Sequence, residues 1–309
     1  MERQTILALC LVCTTAIRAQ QNVAIAPQLN KGDVHTYTTS YEAYKSGTDG
    51  DNGMTGREET TFTVTEATPE GYVLEVKTKP LDKPNIEPGI MGNNSMDEWF
   101  QNLQRNQTVR YRLDRDGAIL GILNAAEMQA NTEKLFNELI NRLDSLMPSA
   151  KRHEMREMTK RILMEQATEE SVLKNLRTIV GPLTLLGRRI TSGMEERYTM
   201  STGLKFVRTY TVAPDGRHVT TDSRLDMTDD ELKEYVIDNV LRYMPNIPAE
   251  ALEEFRKMDM KAQGIGDLQM SSHATVDLGD DGWPLRITLE SEDNLPGNHT
   301  ISRNVMERK

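Results

Sequence analysis

Hydrophobic and polar residues alternate with a period of two along several stretches of the chain. From Tyr72 to Val76 and from Val109 to Leu113, every second residue is apolar and the residues between are mostly charged. Similar rows begin at Phe62, Val219 and Ala274, and a further row holds Trp283, Leu285, Ile287 and Leu289. A strand with one apolar and one wet face is typical of an antiparallel sheet, whereas parallel strands are usually buried on both faces.

Four of the links between these rows have turn sequences. They read Thr68-Pro69-Glu70-Gly71, Asp114-Arg115-Asp116-Gly117, Ala213-Pro214-Asp215-Gly216 and Gly279-Asp280-Asp281-Gly282. Each contains an acidic residue before a final glycine, which adopts a positive φ without steric cost. The pattern predicts four hairpins. A longer polar loop, Ser46 to Gly56, is expected to join the first strand, which holds Tyr37 and Tyr41, to the second.

Helical spacing occupies two gaps between the predicted hairpins. In the first gap, apolar residues recur at helical intervals from Ala125 to Met147, again from Lys151 to Glu165, and after a predicted N-cap at Thr168, with Gly181-Pro182 as the stop. In the second gap, Thr228 to Glu231 has the pattern of a capping box, and Pro248 begins a short helix.

An amphipathic helix needs an apolar partner surface, and a one-sided sheet supplies one. The expected fold is therefore α+β: a curved antiparallel sheet, a half-barrel of about ten strands built from hairpins, packed against amphipathic helices. Residues 20–309 are expected to form a single exported α+β domain, in which the helices cover the apolar face of the sheet.

The first nineteen residues have the layout of a secretory signal peptide. A charged start at Arg3 is followed by an apolar run from Ile6 to Cys13 and a small residue, Ala19, before Gln20. The run is too short to cross a bilayer as a helix. We expect cleavage between Ala19 and Gln20, and hence a periplasmic, surface or secreted protein.

Both cysteines of the chain, Cys10 and Cys13, fall within this predicted leader. The exported chain would then contain no disulfide and no thiolate ligand. The alternative use of either cysteine, as a lipid-anchored residue, is disfavoured by the bulky Leu9 and Val12 that precede them.

Composition excludes some partners. The 309 residues carry a formal net charge of −10, and aromatic residues make up only 5%. A nucleic-acid partner needs clustered lysine and arginine, and so does electrostatic docking on an anionic membrane surface. After the leader, no apolar stretch is long enough for a transmembrane helix, so we expect none in the exported chain.

Two short motifs stand at the first strand and at a late hairpin: Leu29-x-x-Gly32 followed by Tyr37, and the Asp-x-Gly-Trp-Pro turn around Trp283. The first resembles the entry into the first strand, and the second the final hairpin, of exported β-rich proteins of Gram-negative bacteria, many of which belong to uncharacterised families. The layout also resembles the half-barrel of periplasmic lipoprotein-carrier-like proteins. The resemblance implies an apolar pocket between sheet and helices and no catalytic residue.

No pattern in the chain predicts catalysis or a bound metal. The five histidines show no metal-ligand spacing, and the Asp49–Gly53 stretch lacks the glycine and glutamate that an EF-hand loop requires at its sixth and twelfth positions. We therefore expect no enzyme activity, no cofactor, and neither catalytic nor metal-binding residues.

Three functions remain open from the sequence. The first is a non-catalytic binding protein that holds an apolar or amphipathic ligand between sheet and helices, with Trp99, Phe100 and Trp283 as candidate pocket or lid residues. The second is a structural or interaction protein of the cell envelope without a small ligand. The third is a hydrolase whose site has no recognisable motif. Seventeen methionines would suit either core packing or an adaptable binding surface.

Overall fold

A computed structural model describes residues 22–47, 52–82, 85–86, 107–143, 156–157, 160–161, 164–165, 167–243, 247–257, 268–295 and 298–309. The predicted leader with Ala19 and Gln20, and the candidate lid residues Trp99 and Phe100, lie outside these residues. The described strands are β1 (Asn22–Ile25), β2 (Val34–Gly47), β3 (Asn52–Thr68), β4 (Gly71–Pro80), β5 (Asn85–Ile86), β6 (Gln107–Leu113), β7 (Ile119–Ile122), β8 (Arg188–Thr191), β9 (Glu195–Thr199), β10 (Lys205–Val212), β11 (His218–Leu225), β12 (Gln269–Leu278), β13 (Pro284–Leu295) and β14 (Asn298–Arg308). The described helices are α1 (Ala125–Leu143), α2 (Glu169–Thr178), α3 (Pro182–Leu185), α4 (Asp229–Tyr243) and α5 (Ala249–Lys257).

Twelve of these strands form one antiparallel sheet. Eleven follow one another in the order β7-β6-β4-β3-β2-β14-β13-β12-β11-β10-β9, and β5 pairs with β3 beside this path. The short strands β1 and β8 form a separate two-stranded sheet. This confirms the predicted α+β fold with a large antiparallel sheet.

All four predicted hairpins are present, and the glycine of each turn has a positive φ. Gly71 shows why glycine is needed there. Its φ is +146°, and a Cβ at this position would overlap the carbonyl oxygen of Leu113 on β6. Asp114 completes the second turn by accepting hydrogen bonds from the backbone N–H groups of Asp116 and Ala118, at 2.9 and 2.8 Å.

Strands β2 and β3 extend further than the alternation predicts. Most of the expected loop from Ser46 to Gly56 is strand, with Tyr44 paired to Gly53 and Tyr41 paired to Gly56. A Cβ on Gly56 would overlap the Tyr41 hydroxyl, so the ring covers the glycine across the two strands. The prediction of a long loop is wrong because cross-strand packing compensates for the low strand propensity of these glycines.

One predicted row of apolar residues is interrupted. Asp277 pairs with Arg286 but Leu278 pairs with Pro284, so Leu285 is the extra residue of a β-bulge. Trp283 and Ile287 are buried, whereas Leu285 is 43% exposed. The prediction that Leu285 shares the apolar face is therefore wrong.

The helix caps agree with the sequence. The Thr168 hydroxyl accepts a hydrogen bond from the Ser171 N–H, and Thr228 and Glu231 form the reciprocal bonds of a capping box at the start of α4. The sequence places the end of the helix after Thr168 at Gly181-Pro182, but α2 ends earlier, at Thr178. Pro182 instead begins the short helix α3.

Helix α2 lies where the two ends of the sheet approach each other. It contacts β7 and β9, which are the first and last strands of the eleven-strand path. The Glu169 carboxylate accepts a hydrogen bond of 2.7 Å from the Ile122 N–H on β7, and the Asn175 side chain accepts one of 3.3 Å from the Ser201 N–H after β9. The sheet is thus curled, and α2 bridges its seam.

The core fills one end of this curled sheet, the end at which the four glycine turns lie. We call it the hairpin end. Side chains of β1, α3 and β8, among them Ile25, Leu185 and Ile190, are buried against the inner faces of β10 to β13. On the other side, Tyr37 packs edge-on against Phe62, and its hydroxyl donates to the Pro284 carbonyl at 2.8 Å. Burial raises the pKa of Tyr37, and it raises that of Tyr111 to about 12.

Candidate functional site

A cavity of about 940 Å³ runs along one face of the sheet, across several adjacent strands. We call it the outer groove, because its larger side chains alternate along the strands with those of the core. On β2 the core residue is Tyr37 and the groove residue is Tyr44, and on β10 they are Tyr210 and Val207. The groove is lined by Glu42, Ala43, Tyr44, Gly53, Met54, Thr55, Val207, Thr209, Asp222, Ser223, Arg224, Ser271, Ser272, His273, Glu290, Ser291, Glu292, Ile301, Ser302 and Arg303.

Seven adjacent strands supply these residues: β3, β2, β14, β13, β12, β11 and β10. Because neighbouring strands lie about 4.8 Å apart, the groove extends across roughly 29 Å of sheet. Cross-strand pairing fixes the register. Tyr44 is opposite Ile301, which is opposite Glu292, so one row of side chains forms one wall.

The second wall is a row of charged residues in register. Arg303 pairs with Glu290 at 3.3 Å, and His273 Nδ1 lies 2.7 Å from an Asp222 carboxylate oxygen. Glu42 occupies the position opposite Arg303. Opposite charges on neighbouring strands stabilise a sheet modestly and hold the long side chains in place.

The first wall is partly apolar and accessible. Tyr44 is 50% exposed and Ile301 is 48% exposed, although both lie on long central strands. At the β10 end, Val207 faces the groove and is only 4% exposed. The groove therefore offers accessible apolar surface at the β2 and β14 end, and its other large side chains are mainly charged.

A buried polar network lies behind the β10 end of the groove, on the inner face of the sheet. Arg208 is 2% exposed, and its guanidinium donates to the Thr178 carbonyl at 2.6 Å, the Arg177 carbonyl at 3.3 Å and the Ser223 hydroxyl at 3.0 Å. It also lies 4.7 Å from the centre of the Tyr198 ring, a cation–π contact. These bonds satisfy the buried charge and hold the C-terminal end of α2.

Glu196 belongs to the same network. It accepts hydrogen bonds from Arg188 at 2.7 Å and from the Tyr210 hydroxyl at 2.6 Å. Burial alone would raise the pKa of Glu196, but these two hydrogen bonds and the positive charge of Arg188 and Arg208 lower it overall. The network is structural in character, since its polar groups are bonded to one another.

Trp283, a candidate pocket residue from the sequence, lies in the core. It is 1% exposed and stacks on His35 with ring centres 4.2 Å apart. It also borders a polar cavity of about 780 Å³ at the hairpin end, together with Asp33 and Asp281. Burial lowers the pKa of His35, and the charge of Arg308 adds to this effect.

The groove residues were not singled out by the sequence. They are ordinary solvent-face residues of seven strands, and only the strand order brings them together. The one available signal was the pair of apolar residues, Tyr44 and Ile301, on faces of their strands that are mostly polar.

The described residues contain no group of three or more histidine, cysteine, aspartate or glutamate side chains arranged to hold a metal ion. Among the described helices, none combines the length and the apolar character needed to cross a membrane.

The sequence matches no protein-family model, and no curated protein matches it. Among solved structures, the chain is similar to lipovitellin, in a structure concerned with lipid–protein interactions, with 10% identity and a TM-score of 0.40 over 91% of this chain and 25% of that one. It is also similar to a porin-like protein from Bacteroides uniformis, with 6% identity and a TM-score of 0.17 over 92% of this chain and 99% of that one. The chain thus spans a quarter of the length of lipovitellin, and neither similarity is high enough to assign a function.

Proposed function

We propose that this protein is a non-catalytic binding protein for an elongated amphipathic ligand, which it holds in the outer groove. The observation that supports this most directly is the groove itself: accessible apolar residues and a row of charges share one cavity of about 940 Å³. Ligand sites commonly have volumes of about 300–1,000 Å³ and combine apolar walls with a few polar groups.

The shape of the groove favours a long ligand. A compact molecule would occupy only two or three of the seven strands, whereas an alkyl chain can lie across them. Tyr44 and Ile301, each about half exposed, would contact such a chain near one end of the groove. Covering apolar area stabilises the complex by about 25 cal/mol per Å².

Charge favours a particular class of head group. The lining contains four carboxylates, Glu42, Asp222, Glu290 and Glu292, but only two arginines. A fatty acid would add another negative charge to this surface, whereas a zwitterionic or cationic head group would complement it. We therefore propose a zwitterionic or cationic amphiphile as the ligand class.

The place of action is also a proposal. The charged start, short apolar run and small residue before Gln20 favour export, so the protein would meet such a ligand in the periplasm, at the surface or outside the cell. The sequence patterns favour a ligand between sheet and helices, but we propose the outer groove instead, because the accessible apolar residues Tyr44 and Ile301 line it.

The test compares three amphiphiles with the same twelve-carbon chain: dodecylphosphocholine, dodecyltrimethylammonium and dodecanoate, each below its micelle concentration. Calorimetric titration and thermal shift are measured on the chain lacking residues 1–19. We expect the first two to bind and to raise the melting temperature with concentration, as any ligand specific for the folded state does. Dodecanoate is expected to bind at least about tenfold more weakly, a difference of about 1.4 kcal/mol.

A pair of variants locates the site. Ile301→Asp places a carboxylate in the apolar wall and is expected to abolish binding. The matched control is Leu120→Asp on the edge strand β7, because Leu120 is 54% exposed and lies outside the groove lining. Equal binding by both variants would place the ligand elsewhere, and no binding of any amphiphile to the wild type would favour an envelope interaction protein instead.

A further inference from the structure

Strand β10 carries groove residues on one face and the anchor of helix α2 on the other. Val207 and Thr209 line the outer groove, and Arg208 lies between them in the sequence. Because side chains alternate along a strand, Arg208 projects from the inner face, where it binds the carbonyl groups of Arg177 and Thr178. The groove and α2 are therefore separated only by the thickness of one strand.

A second connection runs through β11. Ser223 is among the groove residues, and its hydroxyl accepts the hydrogen bond from Arg208 Nε. Ser223 pairs directly with Arg208 across the two strands. A ligand in the groove that limits the motion of β10 and β11 therefore also limits the motion of Arg208 and Ser223. These two residues set the position of the Arg208 guanidinium.

Helix α2 is suited to respond to such a change. None of its described residues is fully buried, and Val172, Leu173 and Leu176 are only partly buried against the core. Its other anchors are single hydrogen bonds through Glu169 and Asn175 at the two edges of the sheet. A segment with few buried apolar contacts opens locally at a smaller free-energy cost than the core does.

We propose that occupancy of the outer groove is coupled to the docking of α2 through Arg208, so that a bound ligand holds the seam of the sheet closed. This inference rests on the proposed function, because it requires a ligand in the groove. The ligand contacts Thr209, the partly exposed groove residue of β10, and restricts this strand, which keeps Arg208 in position for the Arg177 and Thr178 carbonyls. By linkage, the docked helix strengthens ligand binding by the same factor.

Hydrogen exchange with mass spectrometry tests the coupling on the chain lacking residues 1–19, with and without dodecylphosphocholine below its micelle concentration. We expect amides of residues 169–178 to exchange at least about fivefold more slowly with the amphiphile bound, the lower end of typical coupling factors. The internal control is α5, which packs on α4 and lies outside both α2 and the groove lining. Its exchange should not change.

The variant Arg208→Lys keeps the positive charge, but one ammonium group cannot satisfy the serine hydroxyl and both carbonyls in the same geometry. We expect it to remove the protection of α2 and to weaken amphiphile binding by a similar factor.

Three outcomes are distinguishable, and the wild-type experiment decides even if the variant does not fold. Protection of α2 but not of α5 supports the coupling. If calorimetry detects binding but the amides of α2 exchange no more slowly, the coupling is overturned and the proposed function is left intact. Absence of binding to the wild type overturns both.

Discussion

At the scale of single residues, two neighbouring glutamates on β3 show how the sheet determines side-chain behaviour. Glu58 lies on the inner face and is half-buried, and burial raises its pKa. Glu59 lies on the outer face, where hydrogen bonds from Lys309 and Lys79 lower its pKa. Adjacent identical residues thus have opposite shifts, because alternate side chains meet different environments.

The first prediction concerns Glu58→Gln. Because the folded-state pKa of Glu58 is raised, the ionised form destabilises the fold. Stability is lost as pH rises above the unfolded-state pKa, and the loss is complete above the raised one. We expect the variant to be more stable than the wild type at pH 7, by about 0.5–2 kcal/mol as for other stabilising substitutions, and equal to it near pH 3, where both side chains are neutral. Urea unfolding at both pH values measures this.

Glu59→Gln is the matched control. Its lowered pKa contributes stability that is present at neutral pH and disappears as pH falls, so this variant should be no more stable than the wild type at pH 7. A stability gain for Glu59→Gln equal to that for Glu58→Gln would contradict the assignment of the effect to burial.

At the scale of elements, α4 begins with a capping box that could be read directly from Thr228-Asp229-Asp230-Glu231. The Thr228 hydroxyl accepts from the Glu231 N–H at 3.2 Å, and the Glu231 carboxylate accepts from the Thr228 N–H at 2.9 Å. A further hydrogen bond from Lys205 on β10, together with the Thr228 bond, lowers the pKa of Glu231 to about 2. The cap therefore also ties the helix to the sheet.

The second prediction is that Thr228→Ala destabilises the protein by about 1 kcal/mol, because one backbone donor at the start of the helix loses its acceptor. For a chain of this size, the melting temperature should fall by about 2 °C. Thr228→Ser retains the hydroxyl and should behave as the wild type in the same calorimetric scan. Equal losses for both variants would show that the methyl group, not the cap, matters.

At the scale of the whole molecule, the two halves of the chain are joined by the pairing of β2 with β14. The register runs from Tyr37 opposite Arg308 to Gly47 opposite Asn298. This pairing lies in the middle of the eleven-strand path, with β7 at one end and β9 at the other. Removing β14 would leave two unpaired edges in the centre of the sheet.

The third prediction is therefore that a chain ending at Leu295 does not fold, whereas a chain lacking only Lys309 does. The full chain without residues 1–19 should unfold in one cooperative transition, as a single domain does. Circular dichroism and calorimetry measure both. Two separate transitions in the full chain, or a native-like spectrum for the truncated one, would contradict a single domain.

The elements that could be read from the sequence are those specified by local chemistry. The four turns with their glycines, the caps at Thr168 and Thr228, and the one-sided strands all depend on residues close together in the chain, so their signals survive without a structure. The strands β1, β5, β8 and β9 were missed because two to five residues are too few for alternation to stand out.

Other features were decided only by tertiary contacts. The bulge at Leu285 breaks a regular apolar row because β12 and β13 adjust their register, and the glycines of β3 lie in a strand because Tyr41 covers Gly56. The anchoring of α2 by Arg208 links residues about thirty positions apart, and periodicity says nothing about such a contact.

By itself the sequence determined the fold class, the hairpins and the helix caps, since each follows from backbone preferences and from the burial of one apolar face. The tertiary structure decided the order of the strands, and with it the outer groove, the bridging of the seam by α2 and the burial of Trp283. Strand order depends on pairing between distant segments, and many pairings are compatible with the same alternation. The groove exists because that order aligns Tyr44, Ile301 and Val207 along one face of the sheet.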